Sequence, residues 1–323
     1  MRTRLTDVLG IEHPVMLAGM GGVSYHELVA AVSDAGGFGC LGASAMSSEE
    51  MVTEIRGVTE LTDKPFGVDL LAALPERLLD DVRLLIDEGA SVFVAGLGVP
   101  YDVIQLCHDR NVLVVSMCGK VRHAVAAVEA GCDLVVAQGT EAGGHTGQVA
   151  TMPLVPQVVD AVGDRVPVAA AGGLFDGRGL AAALALGADG VWMGTRFIAT
   201  PEARSTRGYK DALIRTAEDG TVVSKGYSGK PMRVVGNKWT QYLIEHPDEV
   251  KAFPDQLMAA VEAGVLHLTD PDSSDVDTER ECYPAGQGLG AIDELVPAGE
   301  LVHRIVAEGE AALDRLVVLR APA

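Results

Sequence analysis

Apolar residues along this chain come in short uninterrupted runs, separated by stretches in which apolar and polar positions recur with helical spacing. The runs PVMLAGM, FGCLGA, PFGVDLL, VFVAGLG, VLVVSMC, LVVAQG, VPVAAAG and GVWMGT begin at residues 14, 38, 65, 92, 112, 134, 166 and 190. Short runs with no alternating polar face read as strands buried on both sides. Between them, residues 25–35, 49–59, 76–88, 121–130, 154–162 and 178–186 carry the amphipathic period of surface helices. Ser47 and Ser48 ahead of EEMV, and Asp176 ahead of GRGL, supply helix caps.

Strands alternating with helices predict a parallel sheet covered on both faces. Eight such units in the first two-thirds of the chain fit an α/β fold of the (β/α)8, or TIM barrel, type. An open doubly wound sheet would need G-x-G-x-x-G after the first strand. Here GMGGVS ends in Ser24, and no acidic residue stands at the required distance beyond it. The pattern breaks after GTRF: residues 220–254 contain VVSKGYSGKPMRVVGNKW, and residues 270–281 are acidic and rich in Ser and Asp. The expected organisation is a barrel over residues 1–215, closed by a C-terminal helix at 299–319. A small appended C-terminal subdomain or lid occupies 216–298.

Composition adds exclusions. The chain has 323 residues, 48% of them hydrophobic and 38 of them glycine, enough for a large core. Its net charge of −20 repels phosphate backbones, so no nucleic-acid partner is expected. The five cysteines, Cys40, Cys107, Cys118, Cys132 and Cys282, are odd in number and widely spaced, and read as reduced residues of the interior. No run approaches a signal peptide or a membrane span, so the expected location is the cytoplasm and no membrane partner is expected.

In a barrel the strand C-termini form the active face. Six of the eight ends carry glycine, and the longest strand-to-strand interval, from 134 to 166, holds AQGTEAGGHTG. His145 is therefore expected on an extended glycine-rich loop at the catalytic mouth, its imidazole exposed, with Glu141 anchoring the loop. After the seventh and eighth strands, Gly172-Gly173 and Gly194-Thr195 present bare backbone, the arrangement that cradles phosphate in this barrel. AGMGG after the first strand would let a flat ring lie against the backbone, which favours FMN over a small phosphorylated sugar. Of the other histidines, His13 lies at the quiet face, while His26, His108 and His123 sit in helical segments. His246, His267 and His303 are scattered, and no metal site is expected. Ser228 in GYSGKP does not join a strand to a helix and is no nucleophile elbow; Cys118 reads as an inert buried thiol.

From HPVMLAGMGG through AVSDAGGFGCLGA, PFGVDLL, QGTEAGGHTG and AAGGLFDGRGLAAALALGADGVWMGTRF to AGQGLGAI, the chain resembles the nitronate monooxygenase (2-nitropropane dioxygenase) family of FMN-dependent barrels. FMN-dependent enoyl-acyl-carrier-protein reductases, NADH:quinone reductases and acyl-CoA ring reductases share the pattern. The resemblance implies that His145 is the catalytic residue beside the flavin and that Gln138 and Gly143 touch it. Gly172, Gly173, Trp192, Met193, Gly194 and Thr195 would hold its phosphate, and backbone near Ala18, Gly19 and Met20 would lie against the ring. Asp69 would face the flavin where the family usually has Asn, which as a carboxylate would only accept hydrogen bonds unless protonated. Met117 replaces a lysine of the quinone reductases and weakens that reading. The implied activity is oxidation of alkyl nitronates with dioxygen, His145 binding the nitro oxygens or removing the α-proton. The alternatives are NAD(P)H-dependent reduction of an enoyl thioester, an acyl-CoA ring substrate or a quinone, and a non-catalytic flavin- or phosphate-binding barrel. The partner is then a small-molecule substrate, and a homodimer is compatible with the resemblance.

Overall fold

A computed structural model describes residues 1–71, 75–96, 98, 100–267 and 276–320. Leu97 of the fourth apolar run and 270–275 of the acidic segment lie outside the described residues. The strands are β1 (Val15–Leu17), β2 (Gly39–Gly42), β3 (Phe66–Leu71), β4 (Val92–Gly96), β5 (Leu113–Cys118), β6 (Leu134–Gln138), the two-residue β7 (Gly144–His145), β8 (Val168–Ala171) and β9 (Gly190–Met193). Strands β10 (Thr221–Ser224) and β11 (Met232–Val235) follow. Helix α1 (Arg4–Leu9) precedes β1, and α2 (His26–Asp34), α3 (Ser48–Leu61), α4 (Pro75–Asp87), α5 (Tyr101–His108), α6 (Val121–Ala130), α7 (Thr151–Val162) and α8 (Gly177–Ala185) connect successive barrel strands. The later helices are α9 (Thr195–Ile198), α10 (Arg207–Arg215), α11 (Lys238–Glu245), α12 (Asp255–Glu262) and α13 (Ala298–Arg320).

Each apolar run therefore forms one strand of an eight-stranded parallel sheet, ordered β1-β9-β8-β6-β5-β4-β3-β2. Met16 bridges Phe38, and the Phe38 N–H donates to the Val15 carbonyl at 2.9 Å, which closes the sheet into a barrel. Because side chains alternate along a strand, each run feeds two cores. Met16, Phe38, Cys40, Val92, Val94, Val115, Val136, Ala169 and Trp192 fill the inside. Val15, Leu17, Leu41, Val68, Phe93, Val114, Val135, Val168 and Val191 face the helices, against residues such as Leu28, Ile55, Val82 and Leu180. Ser47 caps α3 by accepting the Glu50 N–H, and Asp176 caps α8 by accepting that of Gly179, as the sequence predicts. Helix α5 has no counterpart among the predicted helices; its eight residues bury only Val103, Ile104 and Cys107.

Two departures from a plain barrel set up the site. Helix α1 plugs the N-terminal end, inserting Leu5 and Leu9 among the inner residues. At the other end, β7 leaves the barrel and pairs antiparallel with β11, so a three-stranded sheet β10-β11-β7 joins the mouth to the segment beyond α10. That segment has its own small core of Tyr227, Met232, Val234, Ala260, Val265, Leu266 and Cys282. Helix α9 has only four residues, and α13 packs on α8 and α2 in the place an eighth barrel helix would take. No helix among the described residues is long and apolar enough to cross a membrane.

Leu5 is fully buried, its side chain close to Gly190 at the start of β9. Leu5→Ala should lower the stability measured by urea denaturation by about 2–5 kcal/mol, the range for leucine truncation in a core. A loss below 1 kcal/mol would mean that the plug contributes little to barrel stability.

Candidate active site

The strand C-termini and the segment beyond α10 enclose a cavity of about 1270 Å³. Every catalytic or flavin-contacting residue expected from the sequence lines it: Ala18, Gly19 and Met20 after β1, Asp69 in β3, Gln138 at the end of β6, Gly143 and His145 around β7, Gly172 and Gly173 after β8, and Trp192 to Thr195 at the end of β9. The residues differ in what they offer. Trp192 packs inside the barrel, whereas the Met193 side chain belongs to the outer layer, so only backbone at Met193 is free to serve the cavity. A Cβ on Gly19 would lie 2.3 Å from that of Asp69, and one on Gly143 would lie 2.8 Å from the Ala285 carbonyl carbon. Both glycines thus let chain segments meet, as well as baring backbone.

Gly172 and Gly173 have φ of +106° and +71°, a region that side chains rarely adopt. A Cβ on Gly172 would also stand 2.7 Å from Thr151 Oγ1. Thr151 begins α7, and its backbone N–H donates to Glu141 Oε2 at 2.9 Å. Glu141 therefore anchors the loop, as expected, and the anchor reaches the glycine pair. The Thr195 hydroxyl accepts the Gly286 N–H at 2.9 Å, and Gln287 N–H donates to the Glu141 carbonyl at 2.9 Å. The segment AGQG thus joins the loop after β6 to the one after β9.

His145 differs from the exposed loop-tip residue that its glycines predict. It is half-buried in β7, paired with Met232 of β11, and its carbonyl accepts from Gln138 Nε2 at 2.8 Å. Its Nε2 lies 2.9 Å from Ser228 Oγ. Burial, with a smaller contribution from the Lys230 ammonium, pushes the imidazole below its ordinary pKa, so the ring is neutral at pH 7. Ser228, set aside in the sequence as a failed nucleophile elbow, is the group that holds this ring. Its partner is 83 residues away, which no local pattern reveals. Arg233 was also missed: it is 8% exposed, and Nε donates to the Thr140 carbonyl at 2.9 Å, fastening β11 to the His145 loop.

Asp69 faces the cavity without a side-chain hydrogen bond to any described residue, and desolvation raises its carboxyl to about 8. A neutral carboxyl presents one donor and one acceptor, as the amide of Asn would. The departure from Asn thus preserves both hydrogen-bonding senses at neutral pH. Elsewhere, ligand atoms of His26, Glu27 and Glu54 lie within 4.8 Å of one another, but Arg204 already bonds Glu54 at 2.9 Å and Glu27 at 3.0 Å. That cluster is an ion-pair network pinning the segment before α10 to α2 and α3. All five cysteines are buried and unpaired, and burial pushes the Cys118 thiol up to about 11 and those of Cys107 and Cys132 to about 12. None is a nucleophile at neutral pH.

Comparison with known proteins places this geometry. A profile of the nitronate monooxygenase family matches residues 2–82 and 77–308. The chain is 43% identical to a (3aS,4S,5R,7aS)-5-hydroxy-7a-methyl-1-oxo-octahydro-1H-indene-4-carboxyl-CoA dehydrogenase of Mycobacterium tuberculosis, over 95% of both proteins. Among solved structures it is similar to FabK from Thermotoga maritima, with 35% identity, a TM-score of 0.88 and 99% of each chain covered. It is also similar to nitroalkane oxidase from Streptomyces ansochromogenes, with 31% identity, a TM-score of 0.82, and coverage of 97% of this chain and all of that one.

The raised Asp69 carboxyl makes stability depend on pH. Below about pH 4 both folded and unfolded chains hold this proton. As pH rises from there toward about 8, the unfolded chain releases it and the folded protein keeps it, so stability falls across that window. In ligand-free protein, Asp69→Asn should remove this loss, so its urea midpoint should gain on the parent's between pH 5 and pH 8. An equal midpoint difference at both values would show that Asp69 is ionised in the fold.

Proposed function

The chain belongs to the nitronate monooxygenase family and is an oxidoreductase, and we propose that it uses FMN to dehydrogenate a bulky, ring-bearing acyl thioester. The observation that carries this reading is the size of the cavity, about 1270 Å³. One organic ligand fills roughly 300–1,000 Å³, so this space suits a flavin together with a second large molecule. Phe253, Leu257, Met258 and Leu266 of the appended segment give the cavity an apolar lining, suited to a fused carbon skeleton. The 43% identity to an indene-carboxyl-CoA dehydrogenase supports the same substrate class.

The donor set fits FMN. Backbone at Ala18, Gly19 and Met20, with Gln138, Gly143 and the neutral Asp69, would hold the ring; backbone at Gly172, Gly173, Trp192, Met193, Gly194 and Thr195 would hold the phosphate. Side chains at Gly172 and Gly173 are barred by their positive φ, which keeps that end of the cavity lined by peptide groups. When bound, FMN would supply a two-electron acceptor for a hydride from the substrate. His145 takes the proton that leaves the substrate. Its depressed pKa leaves an imidazole lone pair available at neutral pH, and its burial keeps bulk water from competing for the proton. Residues 216–298 serve as the lid of a barrel formed by 1–215 and 299–319. Five reduced thiols fit a cytoplasmic location.

A second reading, oxidation of a nitronate with dioxygen, is supported by the family match and by the nitroalkane oxidase neighbour. Anaerobic mixing separates the two. A hydroxylated bicyclic acyl-CoA should bleach the flavin, while propionate 3-nitronate should leave it oxidised. Bleaching by nitronate alone would reverse the assignment, and bleaching by NADH or NADPH alone would point to reduction of an enoyl thioester or quinone.

Two variants probe the parts. The parent should purify yellow and release FMN on denaturation, and Gly173→Val should fold but come off the column largely colourless. Unchanged flavin content in that variant would assign Gly173 to packing alone. His145→Ala should keep its flavin and lose roughly 10²–10⁴-fold in turnover, the worth of a positioned acid–base group. Activity equal to the parent's on every substrate would remove His145 from the chemistry.

A further inference from the structure

We propose that Ser228 is a positioning residue for His145, fixing the imidazole in the tautomer that carries its proton on Nε2 and leaves Nδ1 bare. The proposal rests on the reading of His145 as the proton acceptor. It also assigns the accepting atom, which the reaction alone does not.

The hydrogen-bond inventory around Ser228 supplies the argument. Ser228 is 1% exposed, and its Oγ has three neighbours at bonding distance: His145 Nε2 at 2.9 Å, the Lys230 N–H at 3.3 Å and the Lys230 carbonyl oxygen at 3.3 Å. A hydroxyl has one proton and two lone pairs. The Lys230 N–H can only donate and takes one lone pair. If the hydroxyl proton goes to the Lys230 carbonyl, the second lone pair must accept from His145, and all three contacts are satisfied together. If the proton goes to His145 instead, the Lys230 carbonyl is left without a donor among the described residues. The first arrangement puts the histidine proton on Nε2. In a neutral imidazole the other nitrogen is then an acceptor. His145 Nδ1 has no protein partner among the described residues, and the ring lines the cavity.

The local chain is built to hold this arrangement. Gly229 has φ of +80°, and its N–H donates to the Lys225 carbonyl at 2.8 Å. A Cβ there would strike the Phe253 nitrogen at 2.5 Å. The turn therefore requires glycine, and it brings the Lys230 peptide back onto the Ser228 hydroxyl that faces the ring. Just beyond it, Thr146 N–H donates to the Pro231 carbonyl at 3.2 Å and Met232 pairs with His145. The imidazole is thus clamped by backbone below and by a hydroxyl at its tip.

The test is histidine tautomer NMR on the flavin-loaded protein labelled with 15N-histidine, His145 being assigned by its absence in His145→Ala. The parent should show Nδ1 at an unprotonated, pyridine-type shift and Nε2 at a protonated, pyrrole-type shift. The reverse pattern in the parent overturns the proposal, whether or not any variant folds. In Ser228→Ala the two shifts should move toward an averaged mixture, and kcat should fall roughly three- to tenfold, the worth of one hydrogen bond, with KM nearly constant. A Ser228→Ala protein with the parent's spectrum and kcat overturns it equally. Full activity in His145→Ala would defeat the functional reading while leaving the tautomer result to stand or fall by the spectrum.

Discussion

Two residues of β7 lying against two of β11 hold the mouth of this barrel together. Gly144 pairs with Arg233 and His145 with Met232, giving the loop after β6 a partner for backbone groups that would otherwise need solvent. Around that pairing the rest of the cavity assembles. Arg233 fastens the strand to Thr140, Gln138 holds the His145 carbonyl, and AGQG lies across Glu141 and Thr195. The appended segment is consequently no bystander: it supplies one edge of the sheet on which the acid–base group stands.

The barrel was legible because both faces of its strands are apolar. VFVAG or LVVAQ cannot serve a half-exposed sheet, and each run predicted a strand that the fold contains. Loop chemistry with a local signature was legible as well: Ser47 and Asp176 as caps, and Glu141 as an anchor ten residues before its partner Thr151. Helix α5 escaped because it is the shortest helix between barrel strands, eight residues or little more than two turns. The environment of His145 escaped for a different reason. Its glycines correctly announced a special backbone, but its partner strand and its hydroxyl come from an irregular stretch some eighty residues on. Spacing rules see i and i+4, and nothing in them joins HTG to GYSGKPM.

Charge behaves differently inside and out. The surface bears most of a net charge of −20, yet two ionisable groups of the cavity lining are held toward their neutral forms: the Asp69 carboxyl raised to about 8 and the His145 imidazole lowered, both chiefly by desolvation. A carboxyl and an imidazole that are both neutral before reaction spare this poorly hydrated space the cost of a resting charge at either group. Composition foretold the acidic exterior; only the packing of Gly19 against Asp69 reveals why that one carboxyl stays protonated.

The substitution of α13 for an eighth barrel helix has a consequence for how the molecule is made. Leu301, Val302, Ile305 and Val306 cover the wall between α8 and α2. They emerge from the ribosome only after the whole of 216–298 has been synthesised. Until then the nascent barrel exposes an apolar seam beside its first strands, long after those strands have found their neighbours. At about 5–20 residues per second, that exposure lasts several seconds.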